Sequence, residues 1–533
     1  VSTDCSRFAR RTLALLCLTF ITAPAAVAAP RLPGFFTDNM VLQRDKPVPI
    51  WGWADPGETV TVEFAGQKHP ATADEHGRWT VTLDPMEASS EGRTLAVGEN
   101  IKLANVLVGD VWLCSGQSNM AMTAGGVRNA KDELASATLP LIRHVKFANV
   151  TAGSPRDDIR APWVVCSPNT ARGFTAVGFF FARKLHEELK VPIGLINSSW
   201  GGTMIEPWTA PEGFAMVPEL KALADKLNAV LPTTEAGRAT HGKALNDVKK
   251  WVAEAEKALE AKRSFPPLPG VPSVGTRNTT PTAIYNAMIR PLIPFAIRGA
   301  VWYQGESNGR EGESYFHKMQ ALIGGWRALW KQGDFPFFFV QLASFQKPTD
   351  VPRGGDGWAM LREAQRKSLS ITNTGMAVII DIGEARDIHP KNKQDVGLRL
   401  ALWALTNEYG RKDVVPSGPL YKSHKAEGNT LRIEFDHAGG GLMVGKKDGL
   451  SPAVEVPDGT LKRFAVAGED RRWFWADAKI DGNTVALSSP AVAAPVAARY
   501  AFSMNPEGCN LYNREGLPAS PFRTDDWEPK KGR

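Results

Sequence analysis

Residues 106–114, 192–196, 297–303, 335–342 and 376–382 are five short, nearly continuous apolar runs, each bounded by Gly, Pro or polar residues. A strand with one wet face alternates apolar and polar residues. A run that is apolar throughout suits a strand buried on both faces, as in a parallel sheet covered by helices. Residues 179–189, 315–330, 360–368 and 396–408 carry helical periodicity between or after these runs. This alternation predicts an α/β fold with a doubly wound parallel sheet. It also says where to look for function, because open sheets of this kind bind ligands at the carboxyl ends of their strands.

The flanks read differently. Strand-like segments at 41–53, 58–64 and 79–83 are separated by the turn signals Pro56-Gly57 and His76-Gly77. Beyond residue 411, strand patterns at 430–435, 463–466, 484–487 and 499–502 return, with Gly439-Gly440-Gly441 as a turn or bulge. Residues 218–231 and 243–263 are rich in Ala, Lys and Glu, with Glu254 and Lys257 at helical spacing, and Pro266-Pro267-Leu268-Pro269 follows. They are expected to form a helical insertion at about 213–273, as surface decoration or a lid. The expected division is a β domain over 29–105, an α/β domain over 106–410 and a second β domain over 411–533.

Residues 1–28 have the form of a secretory signal peptide. Arg7, Arg10 and Arg11 precede a short apolar stretch at 13–21, and Ala26-Val27-Ala28 is a small-x-small cleavage site. The stretch is shorter than the roughly 20 residues that span a bilayer. The expected product is an exported protein, periplasmic or extracellular, with no membrane anchor after cleavage. Cleavage would leave Cys114, Cys166 and Cys509, enough for at most one disulfide and with no zinc-like spacing. No metal or cofactor is implied. The net charge of +7 is not concentrated in any basic run, which argues against nucleic acid as a partner. Sixteen Trp against seven Tyr suit a large core or a sugar-binding cleft. The oligomeric state is not legible.

The apolar runs are followed by polar blocks. They are Ser115-Gly116-Gln117-Ser118-Asn119, Asn197-Ser198-Ser199-Trp200-Gly201-Gly202-Thr203, Gln304-Gly305-Glu306-Ser307-Asn308, and the block from Gly383 through Asp387 to His389. In a parallel sheet all four converge on one edge. Ser118, past a strand and beside Gly116, is a candidate nucleophile, or else a helix N-cap. His389 supplies an imidazole able to take its proton near neutral pH. Gly201 follows a strand and precedes Thr203, which would open a helix, so its N–H can approach an oxyanion. Gln304 or Asn308 can donate a side-chain N–H to the same charge.

These blocks, Gly-Gln-Ser-Asn, Trp-Gly-Gly-Thr, Trp-Tyr-Gln-Gly-Glu-Ser-Asn and Asp-Ile-His-Pro-Lys-Asn-Lys, resemble those of the sialate O-acetylesterase family of SGNH hydrolases. Asn510-Leu511-Tyr512-Asn513 and Pro521-Phe522-Arg523 extend the likeness, which covers about residues 30–530. The resemblance implies a flavodoxin-like SGNH core, no metal, and release of acetate from O-acetylated carbohydrate. Bacterial members similar to this chain include esterases of acetylated plant hemicellulose such as xyloglucan. By that resemblance Ser118 is the nucleophile, His389 the base, and Ser118 and Gly201 contribute oxyanion N–H groups. The broad SGNH pattern places Asp three residues before His, where this chain has Arg386, so Asp387 is the expected orienting group. Asp381, Glu384 or a backbone carbonyl are the alternatives. Trp200, Trp208 and Trp358 are candidate sugar platforms, and Arg362 with Gln365 could face the cleft from one helix. Hemicellulose oligosaccharide is the favoured substrate and O-acetylated sialate the alternative. The reading from another class is a carbohydrate-binding protein with a dead esterase core.

Overall fold

Strands β7 (Ile101–Gly116), β8 (Leu139–Lys146), β9 (Val164–Cys166), β10 (Ile193–Ser199), β11 (Gly299–Tyr303), β12 (Phe337–Val340) and β13 (Thr374–Ala377) form the central sheet of a computed structural model, which describes residues 30–527. The signal-peptide segment at 1–28 lies outside the described residues. The strand order is β13-β12-β11-β7-β10-β8-β9, parallel throughout except for the edge strand β9. From β7 the chain winds first to the β10 side and later to the β11 side. The winding reverses at β7, and the crevice at its carboxyl end is where such a fold binds ligands.

Alternate residues of each strand face opposite layers. Val111, Leu113, Ala300, Trp302, Phe337 and Phe339 pack with Tyr315, Met319, Leu322, Trp326, Leu361 and Ala364 from helices Ser314–Trp330 and Gly357–Lys367. Trp112, Cys114, Val301, Tyr303, Phe338 and Val340 pack with Phe180, Phe181, Leu185, Val396, Leu400 and Trp403 from helices Ala176–Leu189 and Lys393–Asn407. Both faces are dry, which is why residues 111–114, 300–303 and 337–340 of these strands are apolar at every position. Each such side chain, fully buried, contributes roughly 1.5–3 kcal/mol.

Strand β7 is 16 residues long and runs straight across the boundary expected at residue 105. Its first half pairs with β1 (Val41–Gln43) and β6 (Ser89–Val97); β3 (Thr59–Phe64) and β4 (Gln67–Thr72) continue that sheet. β2 (Val48–Trp53) pairs with β5 (Arg78–Leu83), and both sheets contribute to the same core. In β3 and β5 every second residue is buried, as expected of antiparallel strands with one wet face.

The insertion contains helices Lys221–Asn228 and Glu235–Glu260. The longer one starts eight residues before the expected 243, at a Thr234 side chain that accepts from Gly237 N–H. The carboxyl-terminal region is antiparallel β around a separate core that includes Leu431, Ile433, Val466, Val485 and Phe522. Among the described residues no helix is long and apolar enough to cross a membrane.

Cys114, Cys166 and Cys509 are free. Burial pushes the Cys166 thiol up to about 12 and the Cys114 thiol higher still. The thiolate is the reactive form, so iodoacetamide should leave both unmodified in the native protein. Mass mapping checks this, and rapid labelling of either contradicts the packing.

Candidate active site

β7 ends at Gly116, which is in register with Ser199 at the end of β10 and Tyr303 at the end of β11. Gly116 has φ +134°, and a Cβ there would lie 2.2 Å from the Tyr303 carbonyl oxygen. Only glycine fits this crossing. Its carbonyl accepts from Trp200 N–H at 2.9 Å, and Gln117 N–H donates to the Tyr303 carbonyl at 3.0 Å. The three strand ends are thereby locked together directly beneath Ser118.

Ser118 opens the one-turn helix Ser118–Ala121. It caps nothing; its Oγ lies 2.8 Å from His389 Nε2. His389 comes from the loop after β13. That loop begins earlier than the apolar run suggested, because the strand stops at Ala377 and residues 378–380 and 382 are buried outside it. Asp387 Oδ1 accepts from His389 N–H at 2.9 Å and lies 3.4 Å from His389 Nδ1. The His389 N–H bond, then Lys391 at 3.1 Å, holds the Asp387 carboxyl below the usual carboxylate range. Asp381 is committed to Arg399 at 2.6 and 2.8 Å, and Glu384 to Lys391 N–H at 2.8 Å. Arg386 is exposed. Asp387 is therefore the carboxylate beside the imidazole.

Gly201 lies against Ser118; a Cβ on it would sit 3.3 Å from Ser118 Cβ, whereas one on Gly202 would meet open space. Thr203 opens no helix. Its hydroxyl donates to Trp200 O at 2.8 Å and accepts from Trp208 Nε1 at 2.9 Å, closing a turn. Gln304 does not present a free amide. Its Nε2 lies 2.7–3.1 Å from Asn308 Oδ1, Gln117 Oε1 and Thr203 O, and its Oε1 accepts from Tyr315 OH. Asn308 Oδ1 also accepts from Ile205 N–H, and its Nδ2 donates to Glu206. Both amides are buried and brace the floor of the site. Gln304 has both N–H groups occupied there, which removes it as an oxyanion donor.

Of the expected sugar contacts, Trp200 alone keeps exposed surface beside Ser118. Trp208 is wholly buried, edge-on to Trp302. Trp358 is buried with its indole N–H on Ala343 O. Arg362 has no exposed surface and donates to the carbonyls of Leu342, Ala343, Ser503 and Met504. Gln365 bonds Leu342 N–H and the carbonyls of Gln304 and Val340. These four cannot touch a ligand. Arg362 instead pins its helix to the carboxyl-terminal region.

Three residues in the motif blocks went unassigned from sequence. Asn119 Nδ2 donates to Glu306 Oε1 at 2.5 Å and to Ile388 O at 3.0 Å, and Lys393 Nζ donates to Asn119 Oδ1 at 2.5 Å. Lys393 is fully buried, 5.2 Å from the Tyr303 ring centroid. Burial lowers its ammonium to about 7 against the pull of Glu306, whose own carboxyl burial raises. A signal was present: Glu306 and Lys393 sit inside the blocks that carry Asn308 and His389. Among the described residues no group of three or more His, Cys, Asp or Glu could hold a metal ion.

A serine hydroxyl bonded to an imidazole, at the reversal point of a parallel sheet, suits acyl transfer. Comparison with known proteins agrees. Residues 108–234 and 274–404 match the family described as carbohydrate esterase, sialic acid-specific acetylesterase. The chain is 31% identical to sialate O-acetylesterase of Mus musculus, over 96% of this chain and 97% of that one. It is 31% identical to the Homo sapiens protein of the same name, over 92% of each. The crystal structure of a carbohydrate acetylesterase from Xanthomonas citri is similar at 36% identity and TM-score 0.77, covering 93% of this chain and all of that one. This protein belongs to the sialic acid-specific acetylesterase family of carbohydrate esterases.

Proposed function

We propose that the protein removes O-acetyl groups from carbohydrate through an acyl-enzyme on Ser118, within an SGNH-type core. The observation that carries this is the 2.8 Å contact between Ser118 Oγ and His389 Nε2. Ser118 Oγ attacks the acetyl carbon as its proton passes to His389. Asp387, beside Nδ1, orients the ring and stabilises its charged form. The oxyanion falls to the N–H groups of Ser118 and Gly201. The carbon–oxygen bond to the sugar breaks as His389 returns the proton to the sugar oxygen. Water, deprotonated by His389, then attacks the acyl carbon, and acetate leaves with Ser118 restored.

Acetylated plant hemicellulose, xyloglucan or xylan, is the substrate class we favour, met outside the cytoplasm after export. With Trp208 and Trp358 buried, Trp200 is the one expected platform with exposed surface left to support a longer glycan. The family description and the mammalian relatives favour a second reading, O-acetylated sialate. Acetate release from acetylated xyloglucan oligosaccharides and from O-acetyl sialic acid, side by side, decides between them. The first reading expects the higher kcat/KM on the oligosaccharide. A higher value on the sialate selects the second and leaves the acyl-enzyme scheme intact. Absence of acetate from every ester tried would favour a carbohydrate-binding protein with an inactive core.

A further inference from the structure

Catalysis through Ser118 and His389 requires two chain segments 271 positions apart to meet within hydrogen-bond distance. Asp387 and Lys391 act within the histidine loop, and Arg128 N–H and Glu384 hold its far end through Lys391. Asn119 is different. It follows the nucleophile directly, and its side chain bonds the carbonyl of Ile388, the residue before the base. The amide orientation is forced by its partners. A backbone carbonyl can only accept, so the Ile388 carbonyl must face Nδ2, which turns Oδ1 toward Lys393 Nζ.

The surroundings fit a device rather than incidental packing. Lys393 is almost never found fully buried as a residue type unless paired, yet here it has no exposed surface and its nearest acceptor is neutral. The Glu306 Oε2 atom and the Tyr303 hydroxyl beside it are buried without a hydrogen-bond partner. Holding these groups in the dry floor costs folding free energy. Of these groups, Glu306 Oε1 and Lys393 Nζ bond the Asn119 carboxamide from opposite ends.

We propose that Asn119, oriented by Lys393 and Glu306, is a positioning residue that keeps Ser118 and His389 in register for proton transfer. It touches neither substrate nor the reacting atoms. The proposal rests on the catalytic reading above. A misplacement of about 1 Å at reacting groups costs on the order of 10²-fold in rate, so the loss should appear in kcat.

The test measures kcat, KM and Tm for p-nitrophenyl acetate with Asn119→Leu, Lys393→Met, Glu306→Gln and Ser118→Ala. Asn119→Leu and Lys393→Met should lower kcat about 10²-fold with KM unchanged, because they release the clamp. Glu306→Gln, oriented to keep an oxygen toward Nδ2, should stay within about threefold of the parent kcat if the carboxyl serves only as an acceptor. If Lys393→Met does not fold, the near-isosteric Asn119→Asp decides, since it removes the donor to Ile388 while keeping an oxygen for Lys393. Folded Asn119→Leu or Asn119→Asp at parent kcat overturns the proposal, as does a loss confined to KM. A dead Ser118→Ala beside an unimpaired Asn119→Leu removes the clamp alone. An active Ser118→Ala removes the catalytic reading itself.

Discussion

Replacing Ser118 by alanine should lower kcat for any acetyl ester by about 10⁴-fold or more while leaving the fold intact. The side chain is half-buried at the start of one helical turn and caps nothing, so its loss removes the hydroxyl and little else. His389→Ala should do about the same. The double variant should be no worse than either single one, because the pair at 2.8 Å works as a unit. Steady-state kinetics on the three proteins checks this. Multiplying losses would mean that Ser118 and His389 act in separate steps.

Gly116→Ala should have the largest effect on stability. The substitution places a side chain at φ +134° and drives it to within 2.2 Å of the Tyr303 carbonyl oxygen, which is backbone and cannot swing aside. A strained non-glycine conformation costs about 1–3 kcal/mol, and overpacking typically adds about 1–3 kcal/mol. A folded remnant should also lose kcat, since the ends of β7, β10 and β11 that meet at Gly116 set the position of Ser118. Denaturant unfolding and kinetics on the same sample test both effects. An unchanged midpoint would show that the strand ends are not locked as described.

The sheet was legible because its strands are buried on both faces, which writes continuous apolar runs. β10, β11 and β12 lie within or near the runs that foretold them. β8 was not legible: Leu-Pro-Leu-Ile-Arg-His-Val-Lys reads as mixed, yet Arg143 and His144 are buried. His144 is stacked on Phe174, and burial lowers it to about 3, so it stays neutral near pH 7. The helix carrying Arg362 and Gln365 misled for a related reason. Residues at i and i+3 share a face, but the pattern does not say that the face is covered by residues 503–504, whose carbonyls Arg362 satisfies. Polar side chains buried against backbone leave no periodic trace.

The site was legible as a set of strand-end blocks, since topology alone brings Ser118 beside Gly201. The roles of amides were not. Gln304 and Asn308 bond one another and buried acceptors, whereas Asn119, inside the same block as Ser118, bridges to the histidine loop. One-dimensional spacing fixes which strand end a carboxamide belongs to, not which way its oxygen faces. Lys393 shows the same limit, for a lysine in the first turn of a helix ordinarily meets water, and this one meets Asn119.

The central claim is an acyl-enzyme on Ser118. Mixing the protein with excess p-nitrophenyl acetate, quenching in acid and mapping peptides by mass tests it directly. The scheme predicts one acetyl group per chain, carried by the peptide containing Ser118, absent from Ser118→Ala and diminished in His389→Ala. Acetate release at full rate with no acetyl on Ser118, or with the label on another residue, would contradict it.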